Sequence, residues 1–246
     1  VPAGLVNAAG PEYDQAYAVY QNQGAGAAAP LFKKIVENKP DPDAMWMLGY
    51  IYKNQSNFDT MYAESAKWYK NYLQFPFVKK EYAMQDLGEI YMAGGYGVEK
   101  DLAQARHYFE KLVESGWSNK DWSKFPVNNL TIVMGEQMAG YTKDDADYVK
   151  AGKAFVKNKP KDALAPLKQS AEYKNPDAME VLGTMYKYGI GVKQDYSEAG
   201  SWFRKAAEKE LPYSMLNMGK LYEKGNGVTQ DDAIAGKMKD FGEKVG

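Results

Sequence analysis

The chain has 246 residues, with 31 Lys and Arg against 32 Asp and Glu. This near-neutral balance argues against a basic stripe for nucleic acid, and the lack of Cys excludes disulfides, thiolate metal sites and cysteine nucleophiles. No apolar run reaches the roughly 18 residues that a membrane-spanning helix needs. The chain begins with Val and has no basic segment followed by an apolar one, so we expect a removed signal peptide or a shortened chain.

The first predicted helical unit is short. The stretch YAVYQNQGAGAAAPLFKKIVENKPD at residues 17–41 has apolar residues at helical spacing but lacks a repeat-type glycine loop. A similar stretch, GKAFVKNKPKDALAPLKQSAEYKNPD, occupies residues 152–177. Both contain Ala-Pro-Leu, and both run into Pro-Asp-Ala-Met. The sequence therefore predicts two related halves, each a short unit followed by longer ones.

The longer units follow a fixed period. PDAMWMLGYIY at residues 42–52 returns as PDAMEVLGTMY at residues 176–186, and the pattern around the second phrase returns after 36 residues. Each longer unit has an apolar helical segment, a loop such as GIGV and a second helical segment. Gly ends the first helix, and Asp195 with Glu198 has the form of a capping box that starts the second. A period of this size predicts stacked pairs of helices.

Glycines inside the predicted first helices need a steric reason. Gly49, Gly88, Gly183 and Gly219 each follow Leu or Met, and a Gly in a helix interior costs about 1 kcal/mol against Ala. We predict that another helix crosses closely at each of them.

The period breaks between the halves, at residues 117–141. The step from Gly88 to the next candidate glycine, Gly135, is 47 residues. Three aromatic residues lie in this stretch: Trp117, Trp122 and Phe125. We interpret them as an aromatic plug in a joint that sets the angle between the halves, with a hinge or a contact site as the alternative.

The longer units resemble the Sel1-like repeats, which are relatives of the tetratricopeptide repeats. The resemblance rests on AMEVLGTMYKYGIGVKQDYSEAGSWFRKAAEKE, SMLNMGKLYEKGNGVTQDDAIAG and YAMQDLGEIYMAGGYGVEKDLAQARHYFEKLVESG, and it is partial in the unit at Ala44. It implies an all-α fold, a right-handed superhelical α/α solenoid of stacked helix pairs over residues 1–246. We place an N-terminal half at residues 12–116, an irregular joint at 117–141, and a C-terminal half with a polar capping helix at 142–246.

The resemblance also implies a function. Sel1-like proteins act as adaptors and scaffolds, so we expect a non-enzymatic module that binds another protein or a peptide, with an immunity protein or an inhibitor of a secreted effector as a narrower form. It implies a bacterial protein that is periplasmic or secreted, with the cytoplasm as the alternative. The alternative functions are a peptidoglycan-binding or glycan-binding protein and a β-lactam or cell-wall hydrolase-like protein.

The residues indicate no catalytic site. His107 is the single histidine, so a histidine-based triad or metal site would lack its other members. GIGVKQD lacks the Gly-Lys-Ser/Thr ending of a phosphate loop. We therefore predict no catalytic residues, no cofactor, no metal site and no nucleic-acid partner, and we leave the oligomeric state open.

A binding groove is predicted on the first helices. In tetratricopeptide-like units the first helix lines the concave surface, and helical geometry places the groove positions six and three residues before the glycine and one, four and five after it. Tyr and Trp often dominate interface energies, so we expect Trp46→Ala or Tyr50→Ala to weaken binding and to leave the melting temperature nearly unchanged. The predicted groove residues are Trp46, Tyr50, Lys53, Tyr82, Gln85, Glu89, Met92, Glu180, Thr184, Lys187, Tyr188, Tyr213, Lys220 and Glu223.

Overall fold

The computed structural model describes residues 10–54, 61–117, 125–141 and 145–245. Within these ranges the regular structure consists of thirteen α-helices, and the β-structure is limited to one isolated bridge in a loop. The predicted all-α class is confirmed.

The first of two compact units covers residues 1–126 and contains three helix pairs. Its helices are α1 (Pro11–Gln23), α2 (Ala25–Asn38), α3 (Pro42–Asn54), α4 (Met61–Leu73), α5 (Lys80–Ala93) and α6 (Leu102–Glu114). α1 packs on α2, α3 on α4 and α5 on α6, while α2 and α4 also contact the first helix of the next pair. Unit 1 is therefore a stack of helix pairs.

The second compact unit covers residues 127–246 and is again a stack of helices. Its helices are α7 (Phe125–Ala139), which begins at the boundary, α8 (Ala146–Val156), α9 (Pro160–Glu172), α10 (Pro176–Tyr188), α11 (Tyr196–Ala207), α12 (Pro212–Lys224) and α13 (Asp232–Val245). From α8 to α13 each helix packs on the next. The predicted α/α solenoid class of stacked helix pairs is confirmed.

The four helix-interior glycines lie where each first helix meets the second helix of its pair. A Cβ added at Gly49 would lie 2.6 Å from the ring of Tyr69, and one added at Gly183 would lie 2.7 Å from the ring of Phe203. Contacts this short leave no room for a methyl group, so the predicted close crossings are confirmed. Two further pairs have the same relationship: Gly88 with Phe109, and Gly219 with Lys239.

The glycine loops close through a repeated backbone hydrogen bond. Gly189 ends α10 in the left-handed region, with φ +69, and after the loop the N–H of Asp195 donates to the carbonyl of Tyr186 at 2.9 Å. The Asp195 side chain then accepts from the N–H groups of Ser197 and Glu198, which satisfies two of the free donors at the start of α11. The predicted N-cap is confirmed. Equivalent aspartates, Asp101 and Asp231, cap α6 and α13.

Helix α7 lies within residues 117–141, the predicted joint. Its glycine, Gly135, crosses α8 so closely that an added Cβ would lie 2.6 Å from the backbone nitrogen of Val156. Phe155 follows Gly135 by twenty positions, as Tyr69 follows Gly49 and Phe203 follows Gly183. This part of the chain therefore forms a helix that packs on its neighbour as a repeat does.

Of the three aromatic residues in this stretch, Trp117 packs edge-on against Tyr82 with the ring centroids 5.4 Å apart. Trp122 lies outside the described residues, and Phe125 is described only as the first residue of α7. The aromatic plug, the hinge and the predicted boundaries of the halves stay predictions.

The exposed side of α13, the predicted capping helix, is mixed in character. Lys237 and Asp240 are exposed, but so are Ile234 at 38% and Phe241 at 45%. The expectation of a polar outer face therefore holds for only part of this helix.

Candidate binding surface

The predicted groove residues lie on the first helices α3, α5, α10 and α12, and their exposure differs widely. Ten of the fourteen keep accessible surface, and their role in binding stays a prediction. Four are buried: Trp46, Gln85, Thr184 and Lys187.

Trp46 is only 3% exposed. Its truncation would leave a large cavity, and such a cavity lowers stability. The expectation that Trp46→Ala would spare the melting temperature is therefore revised, while the same expectation for the half-buried Tyr50 is kept.

A continuous series of aromatic contacts joins α1 to α3 in unit 1. Tyr13 stacks on Tyr17 and Tyr17 on Tyr20, with centroid distances of 6.2 and 6.0 Å. Tyr20 meets Tyr50 edge-on at 6.5 Å, and Tyr50 stacks on Trp46 at 5.3 Å. Tyr13 and Trp46 are buried, whereas the three tyrosines between them are half-buried.

The α1 tyrosines were not predicted as groove residues, because the short helical unit at the start of the chain lacks the Leu-Gly phrase from which the groove positions are counted. Their spacing could have predicted an aromatic helix face, since Tyr13, Tyr17 and Tyr20 fall at i, i+4 and i+7.

A compact ionic cluster lies beside the aromatic series, between α3 and α5. The Lys53 ammonium group contacts the carboxylates of both Asp86 and Glu89. Gln85 donates to the other oxygen of Glu89 at 2.6 Å, and the Tyr69 hydroxyl donates to Asp86. Each carboxylate thus has two donors, which holds the side chains of the two consecutive first helices in fixed positions.

Burial and charge set the ionisation of this cluster. Burial alone would lower the pKa of Lys53, but Asp86 and Glu89 outweigh it, so the pKa lies above its ordinary value. Burial raises the pKa of Asp86, and burial together with the Asp86 charge raises the pKa of Tyr69 well above its usual range. Lys53 and Tyr69 therefore keep their protons at neutral pH.

Two buried polar atoms at this surface are unsatisfied. The indole Nε1 of Trp46 and the Oε1 of Gln85 have no hydrogen-bond partner in the part of the chain that the structure describes. An unmet buried donor or acceptor costs about 1–3 kcal/mol. Such groups are rare in protein cores.

Unit 2 has a lysine at the position equivalent to Lys53, but its hydrogen-bond partners are different. The Lys187 ammonium group lies 2.7 Å from Oδ1 of Asn217 and 2.8 Å from the hydroxyl of Tyr188. The amide of Asn217 donates in turn to the carbonyl of Tyr213 at 3.0 Å. Asn217 was not predicted, because it lies one residue away from the nearest groove position.

Glu223 is the most solvent-exposed of the predicted groove residues in unit 2. It pairs with Lys239 of α13 at 2.6 Å, and this hydrogen bond lowers the pKa of the Glu223 carboxyl. A pair this exposed contributes little to stability.

No group of three or more His, Asp and Glu side chains is placed to hold a metal ion within the described ranges. His107 is exposed and meets Tyr108 edge-on at 5.4 Å. None of the helices in the described ranges combines the length and apolar character needed to cross a bilayer.

Four segments of the chain match the family model described as Sel1 repeat: residues 42–70, 81–117, 176–211 and 212–237. Together they cover just over half of the chain. They coincide with the helix pairs α3–α4, α5–α6, α10–α11 and α12–α13. No functionally curated protein gives a significant match.

Two solved structures are similar. A Sel1 repeat protein from Oxalobacter formigenes shares 21% identity, covering 97% of this chain and 84% of that one, with a TM-score of 0.35. A protective antigen present in uropathogenic Escherichia coli strains, displaying an SLR fold, shares 23% identity over 96% of this chain and 45% of its own, with a TM-score of 0.38. This chain thus spans less than half of the antigen, and likeness at these TM-scores supports no argument about geometry or function.

Sel1-repeat proteins are generally interaction modules and typically non-catalytic scaffolds. Because the four matched segments coincide with helix pairs and cover more than half of the sequence, the chain belongs to the Sel1-repeat family.

Proposed function

We propose that this protein is a non-enzymatic interaction module that binds another protein or a peptide through the first helices of unit 1. The binding site is the first-helix surface, defined by Tyr17, Tyr20, Tyr50, Lys53 and Glu89. The observation that carries the proposal is the series of half-buried tyrosines that ends beside a fixed lysine and carboxylate cluster.

The tyrosines suit this role because they are held in place before a partner arrives. Each ring already packs against another ring of the series, so little side-chain entropy is lost on binding. Tyr and Trp provide large contact areas with few rotatable bonds and are over-represented among residues that dominate interface energies.

The ionic cluster favours a protein partner over a polyanion. Lys53 is neutralised by Asp86 and Glu89, so the surface offers no surplus positive charge. A peptide can place apolar side chains against the tyrosine rings and a cation near the carboxylates, where Arg or Lys also gains from the ring faces.

A narrower form of the proposal is an immunity protein or an inhibitor that covers a secreted effector. This form of the proposal implies that the protein is bacterial and is located in the periplasm or secreted, as the family resemblance suggests. An immunity protein would recover a single toxin with high affinity, and fractionation of the source cells tests the location.

The test is affinity purification with the full chain from cells of the source organism, followed by titration of the recovered protein. The variant is Tyr17→Ser with Tyr20→Ser. The matched control is Phe77→Ser with Tyr173→Ser, two aromatic residues that are 90% and 72% exposed elsewhere on the chain. We expect the control to bind as the wild type does and the surface variant to bind about tenfold more weakly or worse.

Equal binding by both variants would contradict the proposed surface. Co-sedimentation with peptidoglycan in the absence of any protein partner would instead favour a glycan-binding protein. Hydrolysis of a β-lactam or of peptidoglycan would favour an enzyme.

A further inference from the structure

The turn between α8 and α9 carries a cluster of lysines in a chain whose net charge is −1. Five lie between residues 150 and 161, with no Asp or Glu among them. We call this cluster the basic hairpin surface, and its members are Lys150, Lys153, Lys157, Lys159 and Lys161.

The lysines are presented together. Lys150 and Lys153 lie in α8 and Lys157 is its C-cap, and their i, i+3 and i+7 spacing places them on one face of the helix. That face extends for about 10 Å at the rise of an α-helix. All five lysines are exposed, so the ammonium groups form one surface that continues from the helix into the turn.

The backbone of the turn is fixed from two sides. Asn158 adopts a left-handed conformation with φ 55, and the N–H of Lys159 donates back to the carbonyl of Ala154 at 2.9 Å. The loop after α10 packs against the turn so tightly that a Cβ added at Gly191 would lie 2.7 Å from the Pro160 carbonyl carbon. The lysines therefore project from a rigid base.

Among the described residues, no carboxylate forms an ion pair with any of the five lysines of the basic hairpin surface. By contrast, Lys53 and Lys239 elsewhere on the chain both pair with carboxylates. The surface is thus free to pair with charges supplied from outside.

An apolar contact site lies among the lysines. Val156 is 44% exposed at the end of α8. A shallow cleft of about 600 Å³ lies in the turn that follows, and the residues that line it are mainly polar: Asn158, Lys159, Pro160, Lys161, Asp162 and Gly191. The surface thus combines positive charge with one exposed apolar side chain.

We propose that the basic hairpin surface binds an acidic protein segment in which an apolar side chain lies among carboxylates. The carboxylates pair with the lysines, and the apolar side chain contacts Val156. This site lies in unit 2 and is independent of the first-helix surface proposed above.

A single-stranded nucleic acid fits less well, because residues 150–161 contain only one aromatic residue, Phe155, which is buried. Base stacking would therefore have no platform. A lipid surface also fits less well, since Val156 is the one large apolar side chain exposed among these lysines and membrane binding needs a broader apolar face.

The probe is a fluorescein-labelled peptide of about a dozen residues, with Leu at every fourth position among Glu and Asp. Its binding to the full-length protein is followed by fluorescence anisotropy at low and physiological salt. The test variant is Lys153→Gln, Lys157→Gln and Lys161→Gln. The matched control changes overall charge equally through three exposed lysines elsewhere: Lys111→Gln, Lys209→Gln and Lys237→Gln.

We expect the test variant to raise Kd by about tenfold or more and the control by less than about twofold, with the wild-type affinity falling as salt rises. Replacing Leu by Ser in the peptide should also weaken binding. Circular dichroism of each variant establishes that it is folded.

Equal weakening by both variants would overturn the proposal, because overall charge would then explain the binding. Failure of the wild type to bind the peptide, or stronger binding to heparin or to phosphatidylserine vesicles, would overturn it as well. Tyr17→Ser with Tyr20→Ser should leave peptide binding unchanged, so failure of either proposal can be told from failure of the other.

Discussion

The ammonium group of Lys187 lies 2.7 Å from the side-chain oxygen of Asn217, and so connects two consecutive first helices of unit 2. Counted from the helix glycines, Lys187 and Asn217 occupy the positions that Lys53 and Asp86 occupy in unit 1. The lysine follows its glycine by four residues, and its partner precedes the next glycine by two. Both units thus use one lysine position to connect neighbouring repeats.

The chemistry around this lysine changes between the units in a coordinated way. Asp86 accepts a hydrogen bond from the Tyr69 hydroxyl. At the equivalent of Tyr69 in unit 2 stands Phe203, which has no hydroxyl, and a neutral Asn217 replaces the carboxylate. A buried ionised carboxylate needs more hydrogen-bond donors than a buried amide does. The absence of the hydroxyl at Phe203 and the replacement of Asp by Asn at position 217 therefore belong together.

Replacing Lys53 by Met should destabilise the protein by about 2–3 kcal/mol. The change leaves the carboxylates of Asp86 and Glu89 close together without their cation. Breaking a buried ion pair lowers stability more than breaking an exposed one, and the partial exposure of Lys53 keeps the loss below that of a fully buried pair. The midpoint of urea denaturation measures the effect. Lys67→Met, which removes a lysine that is 57% exposed, is the control and should cost less than about 0.5 kcal/mol. Equal effects of the two changes would mean that the cluster is effectively solvated.

The glycine crossings give a second prediction. Gly183→Ala should cost about 1–3 kcal/mol, because the new methyl group would overlap the buried ring of Phe203. Gly236→Ala is the matched control, since Gly236 lies inside α13 with no atom near an added Cβ, and this change should stabilise by up to about 1 kcal/mol. Thermal and urea denaturation compare them, and loss of stability at both positions would refute the steric explanation.

The glycine positions illustrate what the sequence could predict. A helix-interior glycine that recurs at a fixed period has few physical explanations, and the facing rings of Tyr69 and Phe203 supply the expected one. The loops and their Asp caps were equally predictable, because Gly and Asp have specific backbone roles at helix ends.

The burial of Trp46 illustrates what the sequence could not predict. Helical periodicity gives the face on which a residue lies but not what covers that face. Trp46 stacks on Tyr50, and Tyr50 meets Tyr20 of the short first unit, which lacks the repeat phrase. The contacts of Asp86 could not be predicted for the same reason, since packing between repeats brings Lys53 and Tyr69 to its carboxylate.

Asp145 predicts a specific acid sensitivity. Burial alone would raise its pKa, but hydrogen bonds from Ser170 at 2.5 Å, from Asn175 at 2.7 Å and from backbone N–H groups outweigh it, so the pKa is lowered. Such a carboxyl stabilises the folded state above its unfolded pKa of about 3.9, and the contribution is lost as the pH falls toward the lowered folded value.

Asp145→Asn should therefore lower stability at neutral pH and flatten the fall in stability below about pH 4, because the variant has no such charge to lose. Urea midpoints between neutral and acidic pH measure this. Asp195→Asn, which alters another N-cap in the same way, is the matched comparison. A wild-type slope that persists in Asp145→Asn would refute the assignment.

Trp46 provides a test of the unmet indole N–H. Trp46→Phe removes that donor and keeps an aromatic ring against Tyr50. The free energy of unfolding of this variant should therefore lie within about 1 kcal/mol of the wild-type value. Trp46→Ala should cost about 3–5 kcal/mol through the cavity it leaves. If Phe proved as destabilising as Ala, the indole nitrogen would have to be satisfied in solution.

The central claim is that the first-helix surface of unit 1 binds a protein partner, and titration calorimetry of the recovered partner against Tyr50→Ala tests it most directly. Tyr50 is half-buried between Tyr20 and Trp46 and joins α1 to α3 in the aromatic series. We predict that Tyr50→Ala loses about 1–3 kcal/mol of binding free energy while its melting temperature stays close to that of the wild type. Phe77→Ala, which removes a ring that is 90% exposed in unit 1, should change neither quantity. Unchanged affinity in Tyr50→Ala, or a loss of affinity that accompanies unfolding, would contradict the claim.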